Sequence, residues 1–286
     1  MQHSLDLNSF LLKPDLPPKA GVEHVQAWLE YKAKKLMDNG KKVTDPDCSD
    51  AAREFYTIMW DDFLEDTGFE LRPEPRVFSK NPEQYVQGDW MCSVWTTLKR
   101  GLELSYEKNN HGEKLWEQEP YMSSLDEKSV TERTYAEILN HFKEFSDVFG
   151  DATLQNFIRS AYTFANLIIV PDGFNVARSR PTDDYWDKTL EEYFINQEAL
   201  QCETKKEDCK TLFHDLVKAS RDKCCDRLFL DEWFYNDKKS IKMLPNKKLT
   251  KLDWPDGWHA LMQEMTDRID NRRVQMQVRI NELMKR

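Results

Sequence analysis

Apolar residues return every three or four positions along most of this chain, and that spacing commits it to helices. The pattern is sharpest at the carboxy terminus. At 100° per residue, Trp258, Met262, Met265, Ile269, Met276, Ile280 and Leu283 fall within a stripe about 60° wide, so residues 257–286 read as one long amphipathic helix. Arg268, Arg272, Arg279 and Arg286 fall within about 40° of one another on the flank of that stripe. They border a buried seam, where a guanidinium must find acceptors.

The same reading places helices over residues 22–39, ended by Gly40, and from Ser49 through Phe55, Met59 and Phe63 to Gly68. Others begin near Asp89, run over residues 131–149 and 154–165, and include Trp186 to Phe194 and Leu212 to Val217. Two prolines and a short alternation make residues 69–79 a connector or an edge strand, while the polar, turn-rich residues 103–130 read as a flexible loop. Only 9 glycines in 286 residues argue against an all-β fold. The expectation is a mainly α protein, residues 1–286 forming a single irregular multi-helix domain with at most a small β element near residues 69–79.

No run approaches the roughly 18 apolar residues a membrane span requires. The first residues, MQHSLDLNSFLLKPDLPP, lack a basic region followed by a long apolar core, so a cytoplasmic protein is expected. The 6 cysteines are then reduced thiols. Cys202, Cys209, His214, Cys224 and Cys225 have zinc-binding side chains but not the paired short spacing of zinc sites, so no metal and no cofactor are expected. Residues 238–286 carry 12 Lys/Arg against 6 Asp/Glu, which leaves a balance of −16 in the preceding residues of a chain whose net charge is −10. That basic end can meet the acidic body, an anionic ligand or nucleic acid.

Between Arg159 and Asp187 the chain concentrates polar chemistry. Asn175, Arg178 and Arg180 follow the buried run ending at Pro171, and forked guanidinium donors suit phosphate or carboxylate. The same residues also suit a structural turn with Arg178 paired to Asp183, Asp184 or Asp187. The candidate ligand-binding set is Arg159, Asn175, Arg178, Asp187 and Arg272, and Arg178 and Arg272 are expected to meet Asp187 or Asn175. Nuclease patterns fail on geometry: Asp172 with Glu203 and Lys205 is interrupted by a helix, and Arg133 and His141 stand eight positions apart. No glycine-rich phosphate loop, nucleophile elbow or paired-histidine zinc helix is present.

Three stretches, DPDCSDAAREFYTIMW, RSAYTFANLIIVPDGFNVARSRPTDDYWDKTLEEYF and RIDNRRVQMQVRI, resemble landmarks of an uncharacterised bacterial family known only as a domain of unknown function. The matching positions are Asp45, Pro46, Asp47, Trp60, Arg159, Pro171, Asn175, Arg178, Asp187, Thr189, Leu190, Glu191, Asn271 and Arg272. The insert around Asn109 and the order Asn-Arg-Arg depart from the family pattern. The resemblance implies a bacterial or phage origin and a mainly helical domain, and no reaction. The functional expectation is a binding or regulatory protein that recognises an anionic ligand or a macromolecular partner, in the setting of bacteria–phage conflict. The alternative is an enzyme acting on a phosphate-bearing or nucleic-acid substrate, with Asp172, Asp187 and Glu191 as metal or base candidates. A protein partner and nucleic acid both stay open, as does the oligomeric state.

Overall fold

The computed structural model describes residues 6–17, 19, 21–34, 45–72, 85–121, 132–171, 185–191, 226–236, 240–245 and 254–285. Its helices are α1 (Val22–Lys34), α2 (Asp50–Thr67), α3 (Val94–Asn109), α4 (Glu132–Asn140), α5 (Ser146–Phe149), α6 (Ala152–Ala161), α7 (Trp186–Leu190) and α8 (Asp256–Leu283). A small sheet joins β1 (Glu70–Leu71), β2 (Tyr85–Trp90) and β3 (Leu167–Pro171). The fold is therefore mainly α with a small β element. Among the described residues no helix is long and apolar enough to cross a membrane.

Local chemistry accounts for several boundaries. Ser49 caps α2 by accepting the Ala52 N–H at 3.2 Å, and Gly68 ends it in the left-handed region at φ 72°, its N–H on the Leu64 carbonyl. Asp151 caps α6 by accepting from Thr153 and Leu154 at 2.9 and 3.0 Å. α8 starts and ends within two or three residues of its expected bounds and buries Trp258, Met262, Met265, Ile269, Met276 and Ile280 against a core that draws on residues from Leu7 onward.

Other boundaries differ from the periodicity. The β element reaches well beyond residues 69–79, because β2 pairs with β1 in parallel and with β3 antiparallel, Trp90 facing Leu167 and Val86 facing Pro171. Asp89 thus lies in a strand, and the apolar run Leu167 to Val170 is a strand buried on both faces, where alternation is lost. α3 continues to Asn109, so the loop expected from residue 103 starts only after it. The helix expected over residues 131–149 breaks into α4, a 3-10 turn (Phe142–Phe145) and α5, with Phe142 folded back to stack on Phe149 at 4.3 Å. Cys48 and Cys92 are free thiols. The helix expected around Leu212, the segment Tyr193 to Phe194 and the cluster from Cys202 to Cys225 lie outside the described residues.

The chain's central joint is Arg272. It is 1% exposed, and its donors end on backbone carbonyls: Nη1 on Ala165 and on Leu167 at 2.6 Å, Nη2 and Nε on Leu228 at 3.1 and 3.4 Å. Burial pushes its pKa down to about 9, with Cys92 and Tyr56 pulling the other way, so the guanidinium stays charged at neutral pH. Between the two clamped carbonyls, Asn166 brackets Cys92: its Oδ1 accepts the Cys92 N–H at 3.0 Å and its Nδ2 donates to the Cys92 and Ala161 carbonyls. α8 thereby fixes the bend from α6 into β3.

A second joint forms where the Asp45-Pro46-Asp47 turn enters the core. Tyr31 donates to Asp45, and the Tyr56 hydroxyl donates to the Asp47 carbonyl at 2.8 Å. Gly88 is required beneath that hydroxyl, since a Cβ there would lie 1.9 Å from it. Oδ1 of Asp47 is buried without a hydrogen-bond partner. Burial, with Asp45 and Asp89 adding repulsion, raises the Asp47 carboxyl to about 7.

Arg272→Met preserves bulk but leaves buried carbonyls unsatisfied, and urea unfolding should show a loss of about 3 kcal/mol or more. Arg279→Met, which removes a half-exposed pair with Asp62, should cost less than about 1 kcal/mol. Asp47 has a folded pKa raised above its unfolded value of 3.8. Its stabilising contribution is complete below the unfolded pKa and is lost as pH rises through 7. Asp47→Asn should therefore unfold at a higher urea midpoint than the wild type near pH 8, with the gap closing toward about pH 4.

Candidate anion site between three helices

Of the five residues singled out in the sequence, Arg159, Asp187 and Arg272 are among the described residues. Asn175 and Arg178 lie outside the described residues. Asp187, fully buried in the first turn of α7, accepts the Lys188 N–H at 2.7 Å and the Leu244 N–H at 2.8 Å, which ties residues 240–245 to that turn. Arg272 finds its acceptors in the carbonyls of Ala165, Leu167 and Leu228 and not in Asp187, whose carboxylate oxygens accept the Lys188 and Leu244 N–H groups. Glu191 pairs with Lys188 at 2.8 Å. Among the described residues no group of three or more His, Cys, Asp or Glu is arranged to hold a metal ion. Arg133 is exposed and His141 pairs with Glu144 at 2.7 Å.

Arg159 has different company. It stands in the last turn of α6, a helix that packs between α1 and α8. Leu154, Phe157, Ile158 and Ala161 bury one face of α6. At its amino end Asp151 Oδ2 lies 2.6 Å from Nε2 of His259 while Oδ1 caps the helix, so one carboxylate both starts α6 and latches it to α8. This packing sets Arg159 beside Arg273 of α8, and the two cations repel.

Arg273 is the informative side chain. Its Nη1 donates to Asp270 at 2.6 Å, but Nε and Nη2 are buried without an acceptor. Those two groups form the lateral edge of the guanidinium, whose parallel N–H bonds match two oxygens of one oxyanion. Nε of Arg159 is likewise buried without an acceptor. Burial, then Arg273, lower the pKa of Arg159, while Asp270 and Asp6 raise it. On the α1 side His24 is 1% exposed, packs edge-on against Phe10 at 4.8 Å, and has no hydrogen bond on either ring nitrogen. Burial lowers its pKa; the Gly21 backbone acting on the ring opposes that, Arg159 lowers it further and Glu23 raises it.

Buried donors without acceptors are rare in folded proteins, and each costs roughly 1–3 kcal/mol of desolvation. Here they occur together on α6 and α8, with an unpartnered imidazole on α1. An oxyanion would satisfy them, and its charge would relieve the repulsion between the guanidiniums. The sequence singled out Arg159 and not Arg273 or His24. Arg273 falls just beyond the apolar stripe of α8, on the flank opposite Arg272, and that position was the available signal. His24 carried none, since its role depends on how α1 meets α6. Compared with family models, curated proteins and solved structures, the chain gives no match, and the resemblance to the uncharacterised family rests on its three landmarks alone.

Proposed function

We propose that this chain is a binding or regulatory protein whose ligand or partner carries an oxyanion, seated between α6 and α8 on Arg159 and Arg273. The observation that carries this reading is the buried lateral edge of Arg273, without an acceptor, on a helix packed against the one that bears the unsatisfied Nε of Arg159. Asp270 is 48% exposed on its side chain and Asp6 is exposed, so both have room to move aside as the anion enters. The residual attraction is then between the anion and two partly desolvated guanidiniums, where Coulomb energies exceed those in water.

Inorganic sulfate is a direct probe. Calorimetric titration at constant ionic strength should show saturable binding to the wild type, and Arg159→Ala and Arg273→Ala should each weaken it about tenfold or more. Arg273→Lys should weaken it similarly, because an ammonium cannot present a fork. Arg279→Ala, remote in role, should bind as the wild type does. Absence of saturable binding, or undiminished binding by Arg273→Ala, would contradict the reading.

A further inference from the structure

We infer that the chain pairs with a second copy of itself through the outer face of α8, the two helices running antiparallel about a two-fold axis level with Met276. This pairing does not depend on the anion site proposed above. Val274 and Val278 are 64% and 54% exposed and belong to no part of the described core. A branched Cβ restricts χ1 in a helix, and both side chains leave apolar surface in water, so solvation alone does not favour valine at either position. Their neighbours supply the pattern. Asp267, Asn271, Val274, Val278, Asn281 and Lys285 follow one another at alternating steps of four and three, and all six are exposed. At 100° per residue they fall within about 80° of one another, on the side of α8 away from Met276 and the rest of the buried stripe. That is a heptad seam on the back of a core helix.

The seam is complementary to its own reverse. Turned about Met276, Val274 meets the partner's Val278, Asn271 meets the partner's Asn281, and Asp267 meets the partner's Lys285. Each contact occurs twice in a two-fold pair, so the valines form an apolar centre, amides flank it and opposite charges close both ends. Gln277 donates to Asn281 Oδ1 at 3.1 Å, which leaves the Asn281 amide nitrogen as donor to the carbonyl of the partner's Asn271. Gln263 donates to Asp267 at 2.8 Å, a neutral contact that leaves the carboxylate its charge for the partner's Lys285. A shift of one heptad would set Val278 against the partner's Asn281 and Val274 against the partner's Lys285, so the amides and charges fix the register. A parallel pair would place Asp267 against the partner's Asp267 and Lys285 against the partner's Lys285, which like-charge repulsion disfavours. The seam is about 27 Å long, and with so small an apolar centre the dissociation constant should be on the order of 10 µM.

Sedimentation velocity of the full chain from about 1 to about 100 µM should show the mass moving from one chain to two. Asp267→Lys and Lys285→Asp should each raise the dissociation constant about tenfold, since each substitution acts twice across the axis. The double reversal Asp267→Lys/Lys285→Asp should return it to within about threefold of the wild type. In a parallel pair neither single reversal would change it, because one like-charge contact would only replace another. Val274→Glu/Val278→Glu should abolish the dimer, and because both positions are exposed the melting temperature of the dilute monomer should stay that of the wild type. A chain that stays monomeric at about 100 µM overturns the pairing, as does a dimer that survives the two valine substitutions. A double reversal that associates no better than the single ones overturns the antiparallel arrangement.

Discussion

A buried guanidinium held by backbone carbonyls is the joint on which the described structure turns. Arg272 reaches from α8 to Ala165, Leu167 and Leu228 and joins the bend before β3 to the segment at Leu228. A charge in the interior is costly unless its hydrogen-bonding capacity is filled, and carbonyl dipoles fill it without adding a second charge. The carbonyls gain in turn, since buried main-chain oxygens at the bend and at the first residue of β3 need donors. With that bend fixed, Asn166 can bracket Cys92 and β3 can pair with β2.

The arginines of α8 show how one helix assigns the same side chain to different tasks. Arg268 lies over the Trp233 ring at 4.4 Å and pairs with Glu264, anchoring the turn Asp231–Trp233. Arg272 is spent on carbonyls. Arg279 crosses to Asp62 of α2. Arg273 alone of these four keeps its lateral edge without an acceptor while facing another cation. Arg272 has its donors matched by backbone carbonyls, whereas Arg273 has the two donors of its lateral edge left over, which is why Arg273 and not Arg272 directs attention to a ligand.

Much of the helical frame was legible because it depends on local rules. The apolar stripe of α8, the Ser49 cap and the Gly68 stop of α2 each follow from spacing or from a conformational preference of one residue. β2 and β3 were not legible, since a six-residue strand containing Gly88 and Asp89 and the buried run Leu167 to Val170 carry no clear period. That Arg272 needed acceptors was readable from its place beside the seam. Their identity was not, because backbone carbonyls at a bend leave no mark in the residue types. Of the residues of the proposed oxyanion site, Arg159 stood out by its segment, whereas Arg273 did not, because its relation to Arg159 depends on how α6 packs against α8.

The measurement that bears most directly on this account is anomalous diffraction from crystals grown with selenate, a tetrahedral dianion of nearly the size of sulfate. The account expects an anomalous peak within hydrogen-bonding reach of Nε and Nη2 of Arg273 and Nε of Arg159. A structure in which those nitrogens are saturated by side chains or carbonyls of the protein itself, with no anomalous density between α6 and α8, would contradict it.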